Sequence, residues 1–172
     1  VIVKDNGMLV DPETSIIKVN GEEVLYRKFI YLMMNKPNGV ISATHDSRDE
    51  TVIDLLELNH QVFDPFPVGR LDKDTVGLLL LTNDGDFVYK VTHPKHEISK
   101  TYNVTLKGIV SEENIENLKN GVEISDGYIT KKAEVRIIKI DKEKNISRVE
   151  IKIHEGKNRQ VRKMWEAIGK KV

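Results

Sequence analysis

The chain has 172 residues, with 27 Lys and Arg against 27 Asp and Glu, and no Cys. That length suffices for one ordinary domain, or one domain and a fragment of another, with a proper core. The missing Cys excludes disulfides and thiol catalysis, and no apolar run approaches the roughly 20 residues that span a membrane.

Residues 1–27 read as two or three short strands, with a turn at Asp11-Pro12-Glu13. The opening Val1-Ile2-Val3-Lys4-Asp5 is unlike a signal peptide, so a cytoplasmic protein is expected. Ile16 to Val24 is a predicted hairpin with Asn20-Gly21 at its bend. Phe29 to Met34 is a predicted strand, ended by Asn35-Lys36-Pro37-Asn38-Gly39, where Pro37 presets a turn. Val40 to Ala43 resumes as a strand. Glu50 to Leu58 is predicted as an amphipathic helix with Val52, Leu55 and Leu56 on one face. Residues 59–68, with Pro65 and Pro67, read as a loop.

Leu78 to Leu81 is predicted as a strand buried on both faces, because a half-exposed strand would alternate. Asn83-Asp84-Gly85 follows as a turn. Asp86 to Val91 is a short helix stopped by Pro94. Ser99 to Leu106 alternates, with Tyr102, Val104 and Leu106 on one face. Ser111 caps a helix that Glu112 and Glu113 complement and Gly121 closes. Ala133 to Ile140 and Ile146 to Ile153 are strands joined by a polar hairpin loop, with Val149, Ile151 and Ile153 pointing one way. Strands interrupted by a few helices indicate an α+β fold on a largely antiparallel sheet.

The last predicted helix has Asn158 as its N-cap and Gly169 just past its end. Val161, Met164, Trp165 and Ile168 recur at i, i+3, i+4 and i+7, a core stripe. Arg159, Arg162 and Lys163 lie around the other side, and cations at a helix N-terminus suit a phosphate; a solvated basic face is the plainer reading. Charge is segregated, with cations concentrated in 154–172 and carboxylates in 111–126. Such segregation suits the steering of a polyanion, although for the acidic segment an ordinary solvated face is preferred.

The central stretch, Pro67 to Gly85, puts Arg70, Asp72 and Asp74 in a short loop before a core strand. A carboxylate so held is presented for chemistry; a polar loop entering the core is the bland alternative. The run Gly69-Arg70-Leu71-Asp72, then Thr75, Gly77-Leu78-Leu79-Leu80-Leu81-Thr82-Asn83-Asp84-Gly85, resembles the central motif of the RsuA-type pseudouridine synthases, which modify ribosomal RNA. The resemblance implies the pseudouridine synthase fold, a largely antiparallel mixed sheet with flanking helices, and makes Asp72 the catalytic residue.

Three further motifs carry the same resemblance over roughly residues 29–172. Asn35-Lys36-Pro37-Asn38-Gly39 matches a mainly structural motif. Lys100-Thr101-Tyr102 matches one whose Tyr lies against the flipped uracil and is a candidate base for late proton removal, whereas residue pattern alone favours a core Tyr102. Glu155-Gly156-Lys157-Asn158-Arg159-Gln160-Val161-Arg162-Lys163-Met164 matches the motif whose Arg, here Arg162, pairs with the catalytic Asp, and Val161 would pack near the base. Arg70, Lys100, Lys157, Asn158, Arg159, Val161 and Lys163 are the RNA-binding candidates. Residues 1–27 resemble the last strands of a small ribosomal-protein-like RNA-binding domain, and 28–172 the catalytic domain. Missing sequence is expected at both ends.

The implied reaction turns a ribosomal uridine into pseudouridine after the base leaves its stack. Arg70 would fill the vacated space or hold a phosphate. Asp72 would act as a nucleophile at the anomeric carbon or as a base at its neighbour. Neither cofactor nor metal is required, and a monomer acting on ribosomal RNA or assembly intermediates is expected. Residues 29–44 resemble members acting on 16S RNA, whereas Asn158-Arg159 looks like members acting on 23S RNA; the reading leans to 16S. A non-catalytic ribosome-assembly protein and a retaining glycosidase are the competing classes. The intact Asp72, Tyr102 and Arg162 weigh against the first, and the flanking arginines with no aromatic sugar platform against the second.

Overall fold

The computed structural model describes residues 3–172 apart from 6, 12, 13, 25, 26 and 126. The chain divides into two compact units, Val1–Asp84 and Gly85–Val172.

In the first unit β1 (Ile17–Val19) and β2 (Glu22–Val24) form an antiparallel hairpin. Its bend is Asn20 at φ 52° and Gly21 at φ 88°, the two left-handed residues that a two-residue loop between twisted strands requires. The turn expected at Asp11-Pro12-Glu13 includes residues 12 and 13, outside the described residues. β3 (Tyr31–Lys36), β4 (Phe66–Pro67) and β5 (Gly77–Thr82) form a sheet ordered β3-β5-β4. The expected 59–68 loop thus contains a two-residue strand. Its Pro67 lies at a sheet edge, where a missing N–H costs least.

The four-leucine run is not buried on both faces. Leu79 and Leu81 are buried with Val40 and Val52, but Leu78 is 68% exposed. Met33, opposite Leu80, is 82% exposed. One face of the sheet is covered, so a continuous apolar run here reflects composition rather than two covered faces.

Two expected elements are absent. Val40 to Ala43 forms no strand, only a parallel bridge from Ile41 to Thr51. Glu50 to Leu58 is not a helix; helical structure is confined to α1 (Leu58–Gln61). The Asp54 carboxylate accepts from the Thr51 N–H and hydroxyl, both at 2.8 Å, and these bonds hold its pKa below the usual carboxylate value. The Val52 N–H goes to the Ile41 carbonyl at 3.0 Å, and the Leu56 N–H closes a tight turn on Ile53. Local side-chain bonds and the bridge capture the groups a helix would need. Val52 is still fully buried, so its periodicity located a core residue without its conformation.

The second unit begins with α2 (Gly85–Thr92) and a 3-10 turn, Pro94–His96. Gly85 is the first helical residue, not a left-handed turn residue as expected. Asn83 instead clasps the start of β3: its side-chain oxygen accepts from the Ile30 N–H at 3.0 Å and its amide donates to the Lys28 carbonyl. β6 (Lys100–Lys107), β7 (Glu134–Asp141) and β8 (Ile146–Ile153) form an antiparallel sheet ordered β6-β8-β7. Val104, Leu106, Val149 and Ile151 line one face and pack with α3 (Glu112–Asn120) and α4 (Gln160–Ala167). On the other face, Arg136 pairs with Glu150 at 2.7 Å and Lys152 with Glu134 at 2.8 Å, both directly across strands. The α+β class therefore holds, with a three-stranded antiparallel sheet in each unit.

α3 has the expected cap at Ser111, completed by Asn114 in a reciprocal capping box. It closes at Gly121, φ 94°, where a Cβ would collide with the Thr130 carbonyl oxygen. The neighbouring backbone cannot yield, because Val122 is bonded through both its N–H and its carbonyl to Thr130. Gly121→Ala should therefore destabilise the protein by about 2 kcal/mol or more, combining left-handed strain with the clash. Thermal unfolding of the variant checks this.

Candidate active site

Asp72 is half-buried in the loop between β4 and β5, and its carbonyl accepts from the Thr75 N–H at 3.0 Å. The loop is clamped from its other side. The Ser42 hydroxyl donates to the Leu71 carbonyl at 3.0 Å and accepts from the Leu71 N–H at 3.1 Å. The Gly39 N–H donates to the Lys73 carbonyl at 2.9 Å.

Lys36 closes the clamp. It is 1% exposed, and its ammonium donates to the carbonyls of Pro37 at 3.0 Å, Lys73 at 3.3 Å and Thr75 at 2.9 Å. An ammonium has three donors, so all three are used. Burial pulls the Lys36 pKa below the usual lysine value, and the charges of Asp74 and Asp72 push it back up. Two of its carbonyls, those of Lys73 and Thr75, closely follow Asp72 in the chain. The loop that leads into β5 is thus held by Lys36, Ser42 and Gly39 as well. Strand alternation did carry a signal, since Lys36 shares the covered face of Leu32 and Met34. Arg70, beside Gly69 at φ 83°, is exposed.

The other candidates stand in the second unit. Lys100 and Tyr102 lie on β6, both half-buried, and Tyr102 packs against the core cluster. Arg162, Lys163 and Val161 are half-buried on α4, and Val161 also packs on the core. Lys157, Asn158 and Arg159 are exposed in the loop before it.

The N-cap of α4 is Arg159, not Asn158, and it is left-handed at φ 50°. The reason is Gln160, a buried side chain absent from the sequence reading. Its side-chain oxygen accepts from the Lys157 N–H at 2.9 Å, and its amide donates to Glu155 and lies 3.9 Å from the Met164 sulfur. Glu155 also accepts from the Lys131 N–H at 3.0 Å and from the Tyr128 hydroxyl at 2.7 Å, a bond that raises the Tyr128 pKa. The Lys157 ammonium sits 4.4 Å over the Tyr128 ring. This network shapes residues 155–160 and delays the helix by one residue. At the other end, the Lys170 N–H bonds to the Trp165 carbonyl and the Gly169 N–H, at φ 73°, to that of Glu166. That is a complete Schellman closure. Trp165 is fully buried, as its stripe predicts.

Gln160→Leu keeps the volume but leaves the Lys157 N–H and the Glu155 carboxylate each short of a partner. It should cost about 1–3 kcal/mol, read as a lowered unfolding midpoint.

A family described as RNA pseudouridylate synthase matches residues 30–167. An uncharacterised RNA pseudouridine synthase of Bacillus subtilis (strain 168) is 50% identical over 169 residues, covering 98% of this chain and 70% of that protein. The ribosomal large subunit pseudouridine synthase B of the same organism is 45% identical over 157 residues, covering 91% and 63%. The ribosomal small subunit pseudouridine synthase A of Vibrio cholerae serotype O1 is 37% identical over 173 residues, covering 99% and 71%. The chain thus spans about two thirds of the length of these relatives. A crystal structure of a pseudouridylate synthase superimposes with a TM-score of 0.76 at 31% identity, covering 99% of this chain and 71% of that one. Identity this high across nearly the whole chain, together with the common fold, means that the chain belongs to the RNA pseudouridylate synthase family, whose members are isomerases.

Proposed function

We propose that the chain isomerises a specific uridine of ribosomal RNA to pseudouridine, with Asp72 as the essential group. The observation that carries this reading is the clamped loop: a buried ammonium and a serine hydroxyl hold the backbone on both sides of Asp72. Asp72 attacks the anomeric carbon or removes a proton from its neighbour. The bond from the anomeric carbon to N1 of uracil breaks and the base turns. C5 then bonds to the anomeric carbon as the bond from Asp72 to that carbon breaks or, by the proton route, as Asp72 returns the proton to the neighbouring carbon. The proton on C5 leaves, with Tyr102 as its acceptor, and N1 takes up a proton. Arg162 pairs with the Asp72 carboxylate by charge and hydrogen bonding. Arg70, Lys100, Lys157, Asn158, Arg159 and Lys163 contact the RNA, and Val161 packs near the base. Residues 1–27 belong to an accessory RNA-binding domain.

The sequence reading leaned to small-subunit RNA. Two observations favour the large-subunit reading instead: Asn158-Arg159, and 45% identity to a large-subunit synthase against 37% to a small-subunit one. Mapping pseudouridine in both ribosomal RNAs from a deletion strain, and again after complementation, tests this. Loss of one site in 23S RNA is expected; loss in 16S RNA restores the first reading, and an unchanged map removes the enzymatic one.

The role of Arg162 has its own test. Arg162→Ala and Asp72→Asn, singly and together, form a double-mutant cycle in unfolding free energy. A coupling of at least about 0.5 kcal/mol is expected for groups in contact. Additive effects would remove the pairing.

A further inference from the structure

Between α2 and β6 three rings gather on the surface. Tyr89 and His93, four residues apart, have ring centroids 4.7 Å apart; Tyr89 and His96 are 5.8 Å apart at 87°, edge to face. The Lys95 ammonium lies 4.7 Å from the Tyr89 centroid. The cluster faces water: Tyr89 is 46% exposed, and both histidines and Lys95 are exposed. Rings that served only the core would be covered.

The backbone beneath the cluster is held in place. The His93 side chain accepts from the Lys95 N–H at 3.3 Å, which makes that ring nitrogen an acceptor and fixes the ring's orientation. The next residue, Glu97, is left-handed at φ 48° and anchored twice. Its carboxylate pairs with Lys131 at 3.0 Å, and its carbonyl lies 2.8 Å from Nδ1 of His154. Pairing with Lys131 also offsets the negative charge of Glu97, the residue after His96. What remains is a fixed aromatic surface with a lysine at its rim. Bases of any identity stack on such surfaces, and a neighbouring cation attracts the phosphates between them.

We propose that Tyr89, His93 and His96, with Lys95, form a stacking platform for an unpaired RNA base flanking the target uridine. The inference rests on the RNA reading above and adds a subsite to it. Six residues separate His96 from Tyr102, and six extended residues reach at most about 20 Å. The platform therefore lies within about 20 Å of Tyr102.

The test uses the chain with a fragment of the mapped ribosomal RNA, in equilibrium binding and steady-state turnover. Tyr89→Ala should weaken binding about five-fold or more, raise KM equally and leave kcat unchanged, the signature of lost uniform binding. Tyr89→Phe, which keeps the ring, should bind like the parent. The salt slope should not change, because no phosphate contact is removed. Fragments with single abasic positions flanking the target should include one on which Tyr89→Ala and the parent bind equally. Should Tyr89→Ala misfold, His96→Ala with the same abasic series reads the same subsite. Equal binding of the parent and both alanine variants to the intact fragment overturns the platform, as does a defect that persists on every abasic fragment. A parent protein that binds but forms no pseudouridine overturns the functional reading, while the abasic series still decides the platform.

Discussion

Asp72→Asn should abolish pseudouridine formation and leave the fold intact. The replacement is nearly isosteric, and the bonds that anchor this loop go to backbone groups: the Asp72, Leu71, Lys73 and Thr75 carbonyls. Of the groups that anchor it, Lys36 feels the charge at position 72, but Asp74 acts on it more strongly than Asp72 does. The amide can neither attack an anomeric carbon nor accept a proton from its neighbour, so both routes stop. A loss of at least about 10³-fold in kcat is expected, at the upper end of what one positioned acid or base contributes. Single-turnover assays on the ribosomal RNA fragment read it, beside an unfolding midpoint close to the parent's. Activity within ten-fold of the parent would show that another group does the chemistry.

Lys36→Met should be the most destabilising of these substitutions and should also slow the reaction. Methionine matches the length of the lysine stem but donates nothing, so three part-buried carbonyls lose their shared partner. An acceptor left without its donor costs about 1–3 kcal/mol, so a loss of about 3–5 kcal/mol is expected for the three together. For a chain of this size that lowers the unfolding midpoint by about 6–20 °C. The carbonyls of Lys73 and Thr75 then repel one another, and the loop carrying Asp72 moves. Displacement of a reacting group by about 1 Å can cost 10²-fold in rate. Turnover measured well below the lowered midpoint should therefore fall, with KM changed less than kcat. A Lys36→Met variant with parental stability would show that the carbonyl cage contributes little. One with lost stability but parental kcat would show that the cage holds the fold without placing Asp72.

Local chemistry was legible wherever it decided the structure. Asn20-Gly21 makes the hairpin bend, Ser111 and Gly121 bound α3, and Gly169 ends α4, because caps and left-handed turns are settled by a few adjacent residues. The inward stripe of β8 and the core role of Trp165 followed from periodicity alone. The family resemblance named Asp72, Tyr102 and Arg162 without any geometry. What sequence alone misjudged was set by specific bonding partners, some near in the chain and some distant. Residues 50–58 have helical periodicity, but a bond from Val52 to Ile41 and the Thr51–Asp54 contacts draw them into turns. The leucine run of β5 reads as doubly buried, yet only tertiary packing decides which faces are covered. Asn158 has the chemistry of a cap, but the buried Gln160 reaches back to Lys157 and moves the helix start past it. Lys36 has the composition of a surface residue. Only the fold gathers three carbonyls, two of them 37 and 39 residues away, around its ammonium. A local pattern states what a segment can do; the partner that satisfies or competes for its polar groups lies elsewhere in the chain and is chosen only when the chain has folded.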